Sequence, residues 1–125
     1  MGTNIPILSI EGFLVVSINV DLHDQLAVQL QEDILNEISR TGSRGLLIDV
    51  TALETVDSFM GRILGYTGSM AKLMGAETVL SGLQPEVAIT LVELGLDFPE
   101  LNTALNMEKG LEMLRRLVRN DRHDS

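Results

Sequence analysis

Two short apolar runs, Ile5–Ile10 and Phe13–Ile18, open the chain on either side of Glu11-Gly12. A two-residue link with glycine second suits a tight antiparallel hairpin. Pro6 cannot donate to a ladder, which assigns the first strand to an edge. The rhythm then lengthens. Leu26, Leu30, Ile34 and Ile38 recur every four residues with Leu35 beside them, between polar positions such as Gln31, Glu32 and Glu37. That stripe predicts an amphipathic helix from about Asp24 to Arg40, closed by Gly42.

Leu46–Val50 reads as a buried strand, and Thr51–Val56 as a short loop. A second helical pattern follows, with Phe59, Ile63, Tyr66 or Thr67, Met70 and Met74 on one side and Gly75 as its stop. Thr78–Leu80 is a third buried strand. Pro85 sits where a first helical turn accepts proline; Val87, Leu91 and Leu94 mark that helix, and Gly95 ends it. Asn102–Leu105 is a candidate short strand. Asn106 is placed to cap a last helix carrying Met107, Leu111, Leu114 and Leu117. Helices between consecutive strands imply right-handed crossovers and parallel pairing. The expected fold is α/β: one mixed sheet of four to five strands with an antiparallel edge hairpin, and about four helices. A single domain over 1–119 and a polar, frayed tail over 120–125 complete the expectation.

Composition narrows the function. The 125 residues are 45 % hydrophobic but only 3 % aromatic, so the core must be aliphatic, and the chain is long enough to fold unaided. A net charge of -9 argues against docking on nucleic acid or anionic membranes. Residues 1–39 hold six acids and no Lys or Arg, so any electrostatic partner there would present a basic patch, although charge runs are more often solvated faces. With no cysteine there is no disulfide framework, thiol nucleophile or thiolate metal site. No apolar run is long enough to cross a bilayer, and the start lacks the pattern of a signal peptide. These features read as a cytoplasmic protein.

Most catalytic constellations are missing. His23 and His123 are the only histidines, one at a helix start and the other in the tail. No phosphate-cradling Gly-x-x-x-x-Gly-Lys-Ser/Thr loop occurs. Gly61, Gly65 and Gly68 fall inside the second helix, where close packing explains them. Asp49 ends a central strand, the usual place for sites in open α/β sheets. A phospho-acceptor receiver would also need an acidic cluster and a lysine after a later strand, and both are absent. Asp49 therefore reads as a structural group bonding loop amides. No catalytic residue, metal ligand or cofactor site is expected.

Glu54-Thr55-Val56-Asp57-Ser58-Phe59 stands out. Asp and Ser are favoured helix caps because their oxygens accept bonds from the free amides of the first turn. Composition alone leaves two readings of Asp57-Ser58, a plain cap or an exposed serine for modification. A phosphate on Ser58 would add about -1.5 to -2 charges. The helix N-terminus would favour them by about 0.3 to 1 kcal/mol. Burying that group against a partner without matching cations costs several kcal/mol. Such a serine would switch binding and hardly move stability.

The element order and the passage from Asp49-Val50-Thr51 to Asp57-Ser58 resemble a STAS domain, the fold of anti-sigma-factor antagonists. Within that family the chain is similar to the RsbS-like stressosome scaffolds. Four stretches carry the likeness: Asn4–Leu8; Asp57-Ser58-Phe59 with Ile63-Leu64-Gly65; Ser69–Ala76; and Ser81–Leu91. They extend over about residues 4–117. The resemblance implies a non-catalytic scaffold that co-assembles with RsbR-type sensors and sequesters an RsbT-like switch kinase. Phosphorylation of the serine in the Asp-Ser-Phe motif releases that kinase to activate a stress response, and a phosphatase resets it. Only Ser58 matches the acceptor, with Asp57, Phe59 and Glu54 as expected kinase-recognition residues. Thr55 lacks the preceding Asp, and Thr90 belongs to another helix. A homodimer is also expected. The alternatives are a simple anti-sigma-factor antagonist needing no large assembly, and a small enzyme using Asp49 and Asp57 as paired carboxylates.

Overall fold

The computed structural model describes residues 5–19, 22–95 and 101–124. Its elements are β1 (Ile7–Ile10), β2 (Phe13–Ser17), α1 (Asp24–Thr41), β3 (Gly45–Asp49), α2 (Ser58–Leu73), β4 (Glu77–Ser81), α3 (Pro85–Glu93), β5 (Leu101–Ala104) and α4 (Met107–Asp124). The five strands form one sheet in the order β1-β2-β3-β4-β5. The first pair is antiparallel and the other three are parallel. The hairpin turns through Glu11 (φ +56°) and Gly12 (φ +82°), two left-handed residues whose twist matches that of the flanking strands. Pro6 immediately precedes the edge strand, as its missing N–H requires.

Side chains alternate across the sheet with the period of a strand. Leu14, Val16, Leu46, Ile48 and Leu80 face a core shared with α1, α2 and the start of α3. Phe13, Val15, Leu47 and Val79 face the other way and are covered by α4, with Leu114 fully buried among them. Three crossover helices therefore lie on one face and the C-terminal helix on the other. Helix ends follow local chemistry. α1 stops at left-handed Gly42, whose N–H reaches the Ile38 carbonyl at 2.8 Å. Pro85 opens α3. The Asn106 side chain accepts from the Lys109 amide at 2.9 Å at the head of α4.

Three helix faces differ from the expected stripes. In α2 the buried side is Met60, Gly61, Leu64, Gly65, Thr67, Gly68 and Ala71. Phe59 and Ile63 are half-buried, while Tyr66, Met70 and Met74 are exposed. Small residues let the helix approach the sheet closely; a Cβ at Gly68 would overlap the Leu101 side chain. In α1 the buried stripe begins at Ala27, and Leu26 is exposed. In α3 Val87 is buried and Leu94 exposed. The last difference is one of length: α4 continues through Asp124, where a frayed tail from residue 120 was expected. Among the described residues no helix is long and apolar enough to cross a membrane.

Gly110 is where α4 meets the sheet most tightly, because a Cβ there would overlap Leu47 Cδ1 on the central strand. Leu47 is completely buried and has little room to yield. Gly110→Ala should therefore destabilise the fold by about 1 to 2 kcal/mol, overpacking outweighing the roughly 1 kcal/mol helix-propensity gain of alanine. Urea denaturation checks this, and a stabilised variant would contradict the close approach.

The same helix is tied to the hairpin at the surface. The Arg115 guanidinium donates to both carboxylate oxygens of Glu11, at 2.9 and 3.1 Å. Those bonds hold the Glu11 carboxyl below the usual range, against a smaller opposing effect of desolvation. A carboxylate with a lowered folded-state pKa adds stability above its unfolded pKa, and loses it as pH falls through the folded one. NMR titration of Glu11 should show a midpoint below that of a free glutamate. Arg115→Gln should return it to the ordinary range.

Candidate functional site

The site stands on the rim formed by the C-terminal ends of β3 and β4. β3 finishes at Asp49, 9 % exposed. One of its carboxylate oxygens accepts the Ser81 hydroxyl at 2.7 Å and the Thr51 hydroxyl at 3.1 Å, and the other accepts the Thr51 amide at 3.2 Å. The Gln84 side chain donates to the Thr51 carbonyl at 2.6 Å. Asp49 thus ties the first turn of the β3–α2 loop to the end of β4 and the approach to α3. This is the structural role expected of it, and the Ser81 bond extends that role beyond the loop.

The rest of the loop is fixed by apolar anchors. The Leu53 amide bonds the Val50 carbonyl at 3.0 Å, and the Leu53 and Val56 side chains are buried. Glu54, Thr55 and Asp57 are exposed between and beyond them. Asp57 is extended (φ -92°, ψ 176°), and its carboxylate accepts the Met60 amide at 2.8 Å. Its carbonyl accepts the first helical bond, from the Gly61 amide at 3.0 Å. Asp57 is therefore the cap, and Ser58 is the first helical residue. Of the two residues that composition offers as caps, the preceding carboxylate takes the bond. Ser58 is half-buried at the helix mouth, with its hydroxyl relieved of that duty.

Two depressions flank this mouth. A pocket of about 210 Å³ is lined by Leu22, Leu53, Thr55, Val56, Asp57 and Met60. On the other side a shallow groove of about 540 Å³ runs along the first turns of α1, where His23, Asp24, Leu26 and Val28 meet Phe59. Phe59 packs one side of its ring on the core and lines the groove with the rest. The structure therefore brings Asp57, Ser58 and Phe59 together at one helix start and leaves Glu54 on the adjoining loop. The participation of Leu22 and of the α1 turn carries no signal in the local sequence. It arises from the crossover that lays α1 beside α2.

Other chemistry on the rim is taken up by structural bonds. Asp49 and Asp57 serve a loop and a cap, respectively. The Thr90 hydroxyl donates to the Glu86 carbonyl at 2.9 Å within α3. His23 holds the N-cap position of α1 without a side-chain capping bond. Among the described residues no three His, Cys, Asp or Glu side chains cluster as metal ligands would.

Comparison with known proteins identifies this geometry. Residues 4–110 match the STAS domain family. A solved RsbS carrying the S58E substitution, from Moorella thermoacetica, is 44 % identical and superposes with a TM-score of 0.84, over 94 % of this chain and 99 % of that one. A chain from the molecular architecture of the stressosome, a signal integration and transduction hub, is 46 % identical with a TM-score of 0.80, over 91 % and 99 % of the two chains. Among curated relatives, the RsbT co-antagonist proteins RsbRA and RsbRD of Bacillus subtilis (strain 168) are 29 % and 32 % identical over 82 % and 85 % of this chain. The chain spans 37 % of the length of either one. With a family match over most of its residues and an RsbS match along nearly all of both chains, this protein belongs to the STAS-domain family and is RsbS-like.

Proposed function

We propose that this chain is a non-catalytic scaffold of a stressosome, holding an RsbT-like switch kinase together with RsbR-type co-antagonists and releasing it when Ser58 is phosphorylated. One observation carries the reading. The serine of Asp57-Ser58-Phe59 stands first in α2, on the rim and outside the capping bond, in a chain that matches an RsbS almost end to end. That the Moorella RsbS was solved with glutamate replacing a serine of the same number supports the same position.

In this reading the Ser58 oxygen attacks the γ-phosphorus of ATP held by the kinase. The new O–P bond forms as the bond to ADP breaks, and the hydroxyl proton passes to a base on the kinase. Phe59 and the groove beside it supply apolar contact, while Asp57 and Glu54 give the rim the negative sign that a basic kinase surface meets. A resetting serine phosphatase reverses the step, and a homodimer is the expected building unit.

The phosphate falls where the fold tolerates it. It sits at the positive end of the α2 dipole, worth about 0.3 to 1 kcal/mol in its favour. Repulsion from an exposed carboxylate across water costs about 1 kcal/mol per pair of unit charges at 4 Å separation, and salt screens it further. Both effects are small beside a domain stability of about 5 to 15 kcal/mol. In a closed interface the same dianion loses its hydration, at several kcal/mol.

Incubation with the cognate kinase and ATP, followed by phosphosite mapping, should place the phosphate on Ser58 and show none in Ser58→Ala. Ser58→Asp should weaken kinase capture at least tenfold, with the melting temperature and circular dichroism spectrum nearly unchanged. Phosphate mainly on Thr55 or Thr90 would remove the switch from this helix mouth. Size-exclusion of the chain mixed with an RsbR-type partner should give a particle far larger than either component. Separate elution of the two would favour the simpler antagonist that binds its kinase directly.

A further inference from the structure

The capping geometry has a consequence for a phosphate on Ser58, and this inference rests on the phospho-acceptor reading above. With Asp57 capping α2, Ser58 occupies the first helical position, and Arg62 follows it by four residues. Residues so spaced are about 40° apart around a helix axis, with Cβ atoms roughly 5 to 6 Å apart. The buried side of α2 is set by Met60, Leu64, Thr67 and Ala71, and Arg62 is exposed. Ser58 lies between these sides, half-buried.

Arg62 is also the cation that α2 itself brings to the rim. Residues 1–71 contain only three Lys or Arg, namely Arg40, Arg44 and Arg62. Arg40, at the far end of α1, is paired with Glu37 at 2.8 Å. Arg44 precedes β3, at the opposite end of the sheet from Ser58. Lys109 begins α4 on the other face of the sheet and is 3.5 Å from Glu112. Among the described residues no carboxylate lies within ion-pair distance of Arg62. The neighbouring charged or titratable groups are Asp57 and Glu54 from the loop, and His23 and Asp24 from the head of α1.

We propose that phosphorylation of Ser58 closes an ion pair with Arg62 one turn further along α2, making Arg62 the residue that positions the phosphate on the outer side of the helix. An anion N-terminal to a cation at this spacing is the favoured orientation, and guanidinium presents paired N–H donors to phosphate oxygens. Phosphorylation then changes the surface twice. It adds a dianion beside Phe59, and it engages a cation that the unmodified rim offers to a partner's acidic group. A lysine in place of Arg62 keeps the charge and loses the planar fork.

The test needs no kinase. Phosphoserine is installed at position 58 by genetic encoding, and its second ionisation is followed by ³¹P NMR between pH 4 and 8 in low salt. Phosphoserine ordinarily titrates near pH 6, and a guanidinium partner favours the dianion. Arg62→Ala should therefore raise the midpoint by about 0.3 or more, the size expected of a helix-surface ion pair. Arg62→Lys should raise it by less, and 0.5 M salt should shrink the difference. His23→Gln, which removes the nearest ionisable cation on α1, should leave the midpoint in place. An unchanged midpoint in Arg62→Ala, or a rise in His23→Gln instead, overturns the pair. Neither result bears on whether a kinase uses Ser58, which phosphosite mapping decides separately.

Discussion

A single hydrogen bond, from the Met60 amide to the Asp57 carboxylate, fixes where the second crossover helix begins. Because Asp57 takes the cap, Ser58 becomes the first helical residue rather than the last loop residue. That one-place difference sets what the serine can do. At the cap its oxygen would be occupied by a backbone amide and turned inward along the helix. One position later it is released to the rim, still within the field of the helix N-terminus. The loop before it is rigid for the same purpose. Asp49, Thr51, Ser81 and Gln84 lock its first turn, and Leu53 and Val56 anchor its middle, so the helix mouth is held by the sheet itself.

Wherever a single residue dictates backbone geometry, the sequence is legible. Glu11-Gly12 marks a turn with both φ values positive, Gly42 stops α1, Pro85 opens α3, and Asn106 caps α4. The parallel pairing of β2 to β5 also follows from the alternation of strands and helices. The burial of α2 does not. Tyr66, Met70 and Leu73 are exposed, while Gly61, Gly65, Gly68 and Ala71 are buried beside Met60 and Leu64, with Gly68 against Leu101 of β5. Hydrophobic periodicity weighs side chains by their transfer energy and assigns large residues inward. Close helix–sheet approach rewards small ones instead, because the backbone itself comes into contact. In α1 likewise Ala27 is buried and the larger Leu26 is exposed.

The motif itself was readable as Asp57-Ser58-Phe59, and its division of labour was not. Both Asp and Ser are good caps, so composition has no means of choosing between them. Only the φ and ψ of Asp57 and the bond to Met60 decide it. Nor does the local sequence show that Phe59 meets the first turn of α1 across a groove. That contact depends on the packing of two crossover helices.

A switch on such a scaffold has to act on binding while sparing the fold, and the site separates the two. The β3–α2 loop draws its rigidity from the Asp49 bonds and from buried Leu53 and Val56, none of which involves the Ser58 oxygen. A phosphate added to that oxygen therefore breaks no cap and opens no cavity. Its local electrostatics are a difference of small quantities, a favourable dipole against exposed carboxylates in high dielectric. Only when a partner excludes water does the dianion become expensive, since the Coulomb and solvation energies grow as the dielectric falls. The asymmetry belongs to the position: a helix mouth, capped by its neighbour, at the surface end of a strand buried along its whole length.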